Sequence, residues 1–150
     1  MAAVANVDRK RVYIFGLGNG GFMAFRLACD HSDKITGIAV LGGATFFNKA
    51  DCQATSRVNV LHIHGTEDKI TLYDGGISAN AVPYPSVSST LSSWTAINKC
   101  QANSFQNLEN PFNLDKSIKG DNTISYVAIC PPGGDVTFWV MQGSGHYPQL

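Results

Sequence analysis

Three places in this chain carry residue types that could act together on a substrate. They are the turn Gly16-Leu17-Gly18-Asn19-Gly20-Gly21, the carboxylate Asp68 in His64-Gly65-Thr66-Glu67-Asp68, and His146 in Gly143-Ser144-Gly145-His146. Two chemistries fit the turn. Read as G-x-G-x-x-G between a strand and a helix, Gly16-x-Gly18-x-x-Gly21 is the dinucleotide-binding fingerprint, whose glycines let a pyrophosphate approach the helix N-terminus. That use also needs an acid at the end of the next strand, about 20 residues on, to hold the ribose hydroxyls. Here the next strand ends Val40-Leu41-Gly42-Gly43, and no acid follows until Asp51. Read as G-x-S-x-G, the same turn is a nucleophile elbow with Gly16 and Gly20 as flanking glycines and Gly18 in the serine's place. An elbow further demands an acid after a later strand and a histidine near the C-terminus, in that order. Asp68 and His146 meet both demands, although a lone turn aspartate or a lone terminal histidine would ordinarily be a solvated surface residue.

The elements that must position these residues are legible as apolar runs. Arg11 to Phe15 is a β-branched and aromatic strand candidate that enters the glycine turn, and Phe22 to Cys29 is a helix candidate with only Arg26 charged. Because it is apolar nearly all round, that helix is expected to be buried on several sides. Ile35 to Leu41 and Val58 to His64 are continuous apolar runs ending in glycine, the pattern of buried parallel strands. Ser86 to Lys99 places Val87, Thr90, Leu91, Trp94 and Ile97 on one helical face after the turn-like Pro83-Tyr84-Pro85. Thr123 to Cys130 and Asp135 to Met141 flank Pro131-Pro132-Gly133-Gly134 and read as two strands joined by a tight connection. Asp68 and His146 then follow directly on strands, at one edge of a parallel sheet, where open sheets build their sites.

Length and composition set bounds on all of this. With 150 residues, 44% of them hydrophobic and 15% charged, the chain reads as one globular domain. A domain of this size buries roughly 70% of its unfolded surface and needs no metal to hold it together. Lysine plus arginine balances aspartate plus glutamate at 11 each, without a basic run, which removes the electrostatic footprint of a nucleic-acid or acidic-membrane partner. No apolar stretch approaches a membrane span and Met1 to Asp8 lacks the pattern of a secretory signal, so the chain reads as soluble. Cys29, Cys52, Cys100 and Cys130 contain no C-x-x-C pair, and four cysteines allow three pairings that spacing cannot separate. His62 and His64 alternate on one strand face. They read as packed or hydrogen-bonded residues rather than metal ligands, and no metal is expected. Trp94 and Trp139 read as core residues.

With these residues in hand, the chain resembles polyhydroxybutyrate depolymerase-like esterases, a group of α/β-hydrolases that includes feruloyl and acetylxylan esterases. The resemblance runs from Val7-Asp8 and RVYIFGLGNGGFMAFRLAC through LHIHGTEDKITLYDGG, Trp94 and Asn98-Lys99-Cys100 to Cys130 and the final GSGHYP. It implies an α/β-hydrolase fold lacking its N-terminal strands, with a mostly parallel sheet flanked by helices in a single partial domain, residues 1–150. It implies hydrolysis of carboxylic esters, polymeric or aromatic, without a cofactor, and an extracellular location. By this resemblance Asp68 and His146 are the acid and base of a catalytic triad and Asn19 donates an oxyanion-hole N–H; Tyr73 and Asp74, from their place just beyond the acid loop, are expected to line the pocket. In such relatives Cys100 and Cys130 look like a disulfide pair; Cys29 and Cys52 are a candidate second pair.

Two departures from the pattern carry consequences. Family members have serine at position 18, and their oxyanion hole takes a second N–H from a segment ahead of the elbow that this chain starts too late to contain. The chain is therefore expected to be an inactive or crippled ester hydrolase, with a non-catalytic pseudoenzyme that keeps the pocket for binding as the alternative, and Gly18→Ser alone is not expected to restore brisk hydrolysis. Starting late also leaves the elbow strand with an open edge, for which a homo-oligomer or a covering segment from Met1 to Arg9 is expected.

Overall fold

A computed structural model describes Asp8, residues 10–108 and residues 110–150. The chain runs β1 (Tyr13–Leu17), α1 (Asn19–Asp30), β2 (Gly37–Leu41), a 3-10 turn (Lys49–Asp51) and β3 (Asn59–Gly65). A small hairpin of β4 (Gly76–Ile77) and β5 (Pro83–Tyr84) leads into α2 (Val87–Ile97), and β6 (Gln106–Asn107), β7 (Thr123–Val127) and β8 (Val136–Met141) complete the fold. The main sheet has six strands in the order β1-β2-β3-β8-β7-β6. β1, β2, β3 and β8 are parallel, while β7 pairs antiparallel with β8 and β6 antiparallel with β7 at the far end. Register is what makes a site. Leu17 lies opposite Leu41, Leu41 opposite Ile63, and Gly65 opposite Met141, so the loops after all four parallel strands leave the sheet at one rim.

Side-chain alternation divides the sheet into two unlike faces. Ile38, Val40, Val60, Val136, Phe138 and Val140 point to one face, where both helices pack, with the rings of Phe25 and Trp94 stacked 5.7 Å apart. Among the described residues both helices that accompany the sheet lie on this face. α1 is also buried on one side only. Its Gly21, Ala24, Phe25, Ala28 and Cys29 are buried, whereas Met23 is 56% exposed. The opposite face holds a smaller cluster of Leu41, Ile63 and Met141, against which Leu61, Leu114 and Trp139 pack. Trp94 is fully buried, and its indole N–H reaches the Thr45 hydroxyl at 3.3 Å.

Two disulfides close the ends of both helices, Cys29 to Cys52 and Cys100 to Cys130. They span 23 and 30 residues, and restricting loops of that length in the unfolded chain contributes about 3 to 4 kcal/mol each on the entropic account. Buried Asn98 at the end of α2 donates to the Val58 and Gly134 carbonyls and accepts from Val58 N–H, tying the helix to the sheet's lower rim. Among the described residues β1 pairs only with β2, and Tyr13 and Phe15 are each 66% exposed. The expected edge is therefore open in the described chain. A covering role for Met1 to Arg9 lies outside the described residues, Asp8 apart.

Candidate active site

The turn between β1 and α1 is fixed by close approach of backbone. A Cβ on Gly16 would stand 2.2 Å from the Gly20 carbonyl oxygen, so no other residue fits there. Gly20 itself has open space where its Cβ would be, so the second crowded position is Gly21, not Gly20. A Cβ on Gly21 would meet Val40 Cγ1 at 2.7 Å and Gly43 Cα at 3.2 Å, because the first turn of α1 lies against the loop after β2. Gly18 is held at φ 52° and ψ −117°, with its N–H donating to the Leu41 carbonyl at 2.9 Å. This is the left-handed region, where a side chain is strained and a turn can lift it above the sheet. A Cβ built on Gly18 would point at His146 and stand 2.7 Å from Nε2, too close for a real side chain unless the imidazole draws back.

The acid and histidine loops are laced together. Thr66 N–H donates to the Met141 carbonyl, Glu67 N–H to the Ser144 carbonyl at 3.0 Å, and Gly143 N–H to the Thr66 hydroxyl at 2.9 Å. Gly65 permits this contact, since its Cβ would stand 2.2 Å from the Ser144 carbonyl oxygen. Asp68 is buried and its oxygens are shared out. Oδ1 accepts from Ile70 N–H at 2.8 Å and Thr71 N–H at 2.9 Å, while Oδ2 faces His146 Nδ1 at 2.7 Å. A carboxylate in that position accepts from Nδ1–H, which leaves Nε2 of His146 as the lone-pair nitrogen facing Gly18.

Behind Asp68 lies a second imidazole pair whose tautomers follow from one carbonyl. The Thr71 carbonyl can only accept, so His64 Nε2 carries a proton and donates to it at 2.8 Å. His64 Nδ1 then accepts from His62 Nε2–H at 3.2 Å, and His62 Nδ1 is a lone pair with no protein partner. Burial, and then the neighbouring His64, push the His62 pKa well below the usual imidazole value. Burial lowers that of His64 too, against the opposing pull of the Thr71 hydrogen bond and Asp68. Both rings are therefore neutral at pH 7. The 3.5 Å approach of His64 Nε2 to Asp68 Oδ2 is a weak second contact of the same N–H, not an ion pair. His62 also packs against Phe25 and Phe138, as its reading as a core residue requires.

A cleft of about 790 Å³ opens beside the turn. It begins at Asn19 and runs between α1 and the β4–β5 hairpin, walled by Phe22, Arg26, Phe46, Ile70 and Tyr84. Phe22 and Tyr84 meet edge to face at 5.5 Å, and the Arg26 guanidinium lies 5.2 Å above the Phe46 ring. Tyr73 and Asp74 are not among the lining residues. Tyr73 turns inward with its ring edge-on to His64 at 5.7 Å, and Asp74 is exposed. The position the sequence reading missed is Tyr84, whose hydroxyl accepts from Leu72 N–H at 3.0 Å and which sits in a two-residue strand too short to show a period. Asn19 lies where the resemblance puts it, at the head of α1, and among the described residues its N–H has no protein acceptor.

Four parallel strands, with acid and histidine loops meeting over a strand–turn–helix, make the fold an α/β-hydrolase. The family model described as phospholipase/carboxylesterase matches residues 2–107, a span that includes the elbow and Asp68, and the chain belongs to that family. It is 36% identical over 81 residues to the putative esterase NocK of Nocardia uniformis subsp. tsuyamanensis, covering 54% of this chain and 24% of that protein. It is 25% identical over 149 residues to feruloyl esterase B of Piromyces equi, covering 95% of this chain and 26% of the relative. A bifunctional acetylxylan esterase/xylanase of Neocallimastix patriciarum is 32% identical over 68 residues, 45% of this chain and 10% of that protein. The chain thus spans about a quarter or less of the length of these curated relatives.

Proposed function

We propose that this is the acid–base half and the elbow of a carboxylic ester hydrolase of the Ser-Asp-His type, with Gly18 standing where the nucleophile would be. The observation that carries the reading is the direction of the missing side chain, whose first atom would point at His146 Nε2 and stand 2.7 Å from it, so that a side chain fits once the imidazole draws back. A serine hydroxyl there would pass its proton to that nitrogen, Asp68 would hold the imidazole in the Nδ1–H tautomer, and Asn19 N–H would face the developing oxyanion. Glycine offers no atom for the attack. Removing the nucleophile of such a triad costs about 10⁶ in turnover, so the chain binds ester and at most turns it over slowly through water activated by His146.

The aromatic and aliphatic walls of the cleft favour an ester with an apolar or aromatic acyl group, free or at a polymer end, in keeping with the named activity of the feruloyl esterase relative. Depolymerase activity on polyhydroxybutyrate belongs to the same reading. Two disulfides favour an oxidising, extracellular setting. The dinucleotide alternative is weakened by position, because the His146 ring stands at the turn where a pyrophosphate would lie and Gly42-Gly43, not an acid, follow β2.

Titration with a non-hydrolysed aryl ester analogue tests this, read by intrinsic fluorescence. Saturable binding is expected, weakened at least about tenfold by Phe22→Ala through lost apolar contact, with no response to nicotinamide or flavin dinucleotides. Dinucleotide binding, or ester affinity indifferent to Phe22, would overturn the proposal.

A further inference from the structure

His146 makes one side-chain hydrogen bond, to Asp68, and Ser144 in its loop stands between two glycines that add no side-chain contact of their own. What holds the backbone around it on the side away from Asp68 is a carboxylate that the triad does not use. Asp115 lies in the irregular segment between β6 and β7 and is 2% exposed. Its Oδ2 accepts from the Ser144 hydroxyl at 2.6 Å, two residues before His146, and its Oδ1 accepts from Gln149 N–H at 3.1 Å, three residues after. Lys116 N–H returns to the Gln149 carbonyl at 2.6 Å, closing a two-bond clip on the chain beyond the histidine.

Asp115 is itself held in place. Ser117 donates to Oδ1 from both its N–H and its hydroxyl, and Asn122 accepts from Asp115 N–H and donates to its carbonyl. Burial pushes the Asp115 carboxyl up, but the bonds from Ser117, Ser144 and Gln149 outweigh it and hold the pKa at about 2. A buried anion with this many donors is costly to leave half-satisfied, which makes it a stiff anchor.

We propose that Asp115 is a positioning residue for the His146 loop, gripping it on both sides so that the imidazole stays between Asp68 and the turn at Gly18. This rests on the reading of His146 as the general base. Asp115 touches no substrate; it acts through Ser144 and Gln149.

The test is proton exchange at His146 Nδ1 in the parent chain by NMR, with Asp68→Asn identifying the resonance by its loss. Asp115→Asn is expected to speed that exchange at least about tenfold, the weight of a hydrogen bond to a charged group, and Ser144→Ala to speed it by less. The Trp94 indole N–H reports global opening and is expected to keep its parent rate. Unchanged His146 exchange in both variants, or a Trp94 rate that rises by the same factor, overturns the proposal alone. A parent chain without the protected Nδ1 proton overturns the Asp68–His146 pair and the proposal with it.

Discussion

Around His146 the structure is over-determined, whereas at Gly18, on the other side of the same gap, only backbone is present. The histidine side is held by Asp68, by the Thr66–Gly143 and Glu67–Ser144 bonds, and by the Asp115 anchor. The elbow side is held by the fit of Gly16 against Gly20 and of Gly21 against Gly43, and by one bond from Gly18 N–H. The two sides fail differently. A buried carboxylate and imidazole are stable only while each polar atom has its partner, so loss of any member is felt through the loop. The turn at Gly18 is a steric device whose backbone is set by glycine packing, so on the proposed reading the nucleophile can be absent while the turn keeps its shape.

Substitutions can sharpen this contrast. In a Gly18→Ser background the histidine side should decide reactivity. Asp68→Asn is expected to lower the rate at which the introduced hydroxyl reacts with a fluorophosphonate by about 10⁴-fold, since the wrong imidazole tautomer would then face it. His146→Ala is expected to lower it by about 10² to 10⁴-fold. On the elbow side stability is the sensitive quantity. Gly16→Ala forces a Cβ into backbone and is expected to cost about 3 kcal/mol or more in denaturant unfolding, whereas Gly20→Ala is expected to be neutral or to gain up to about 1 kcal/mol. Equal losses at both positions would break the assignment of Gly21 as the second crowded glycine.

Acidification separates the buried histidine pair from the Asp115 anchor within the histidine side. For His62 and His64 the folded pKa lies below the unfolded value of about 6.5, so the unfolded chain binds more protons and stability falls as pH drops below about 6.5. The slope approaches about 1.4 kcal/mol per pH unit for each ring. Asp115 has the opposite origin and a lower window. Its stabilisation is complete above its unfolded value of about 3.9 and is lost as pH falls towards about 2. Thermal unfolding followed from pH 8 to pH 2 should show both declines, and Asp115→Asn should remove the lower one. The smallest expected effect lies at the open edge, where Phe15→Lys should reduce self-association in sedimentation without altering the melting of the parent fold.

Much of the sheet was legible because its strands are apolar runs that end in glycine. β2, β3, β8 and the face of α2 fall where their runs do, within a residue or two. β1 runs Tyr13–Leu17 rather than Arg11 to Phe15, since pairing of Gly16 and Leu17 with Val40 and Leu41, not hydrophobicity, sets its end. β4, β5 and β6 were not legible at two residues each. That Asp68 and His146 meet was legible because chain order and strand ends single them out. Asp115 could not, being one acid in an irregular segment whose meaning comes from Ser144 and Gln149, 29 and 34 residues away. Tyr73 and Asp74 stand apart from the cleft wall for a related reason. The chain turns sharply after Thr71, sending Tyr73 into the core beside His64 and leaving the cleft wall to Ile70 and Tyr84.

Mass spectrometry of the Gly18→Ser chain after treatment with a fluorophosphonate bears most directly on the claim that Gly18 occupies the place of a nucleophile. One adduct per chain is expected, on the serine introduced at position 18, absent from the parent and abolished by His146→Ala. A folded variant that stays unlabelled, or one labelled at another residue, would contradict that claim.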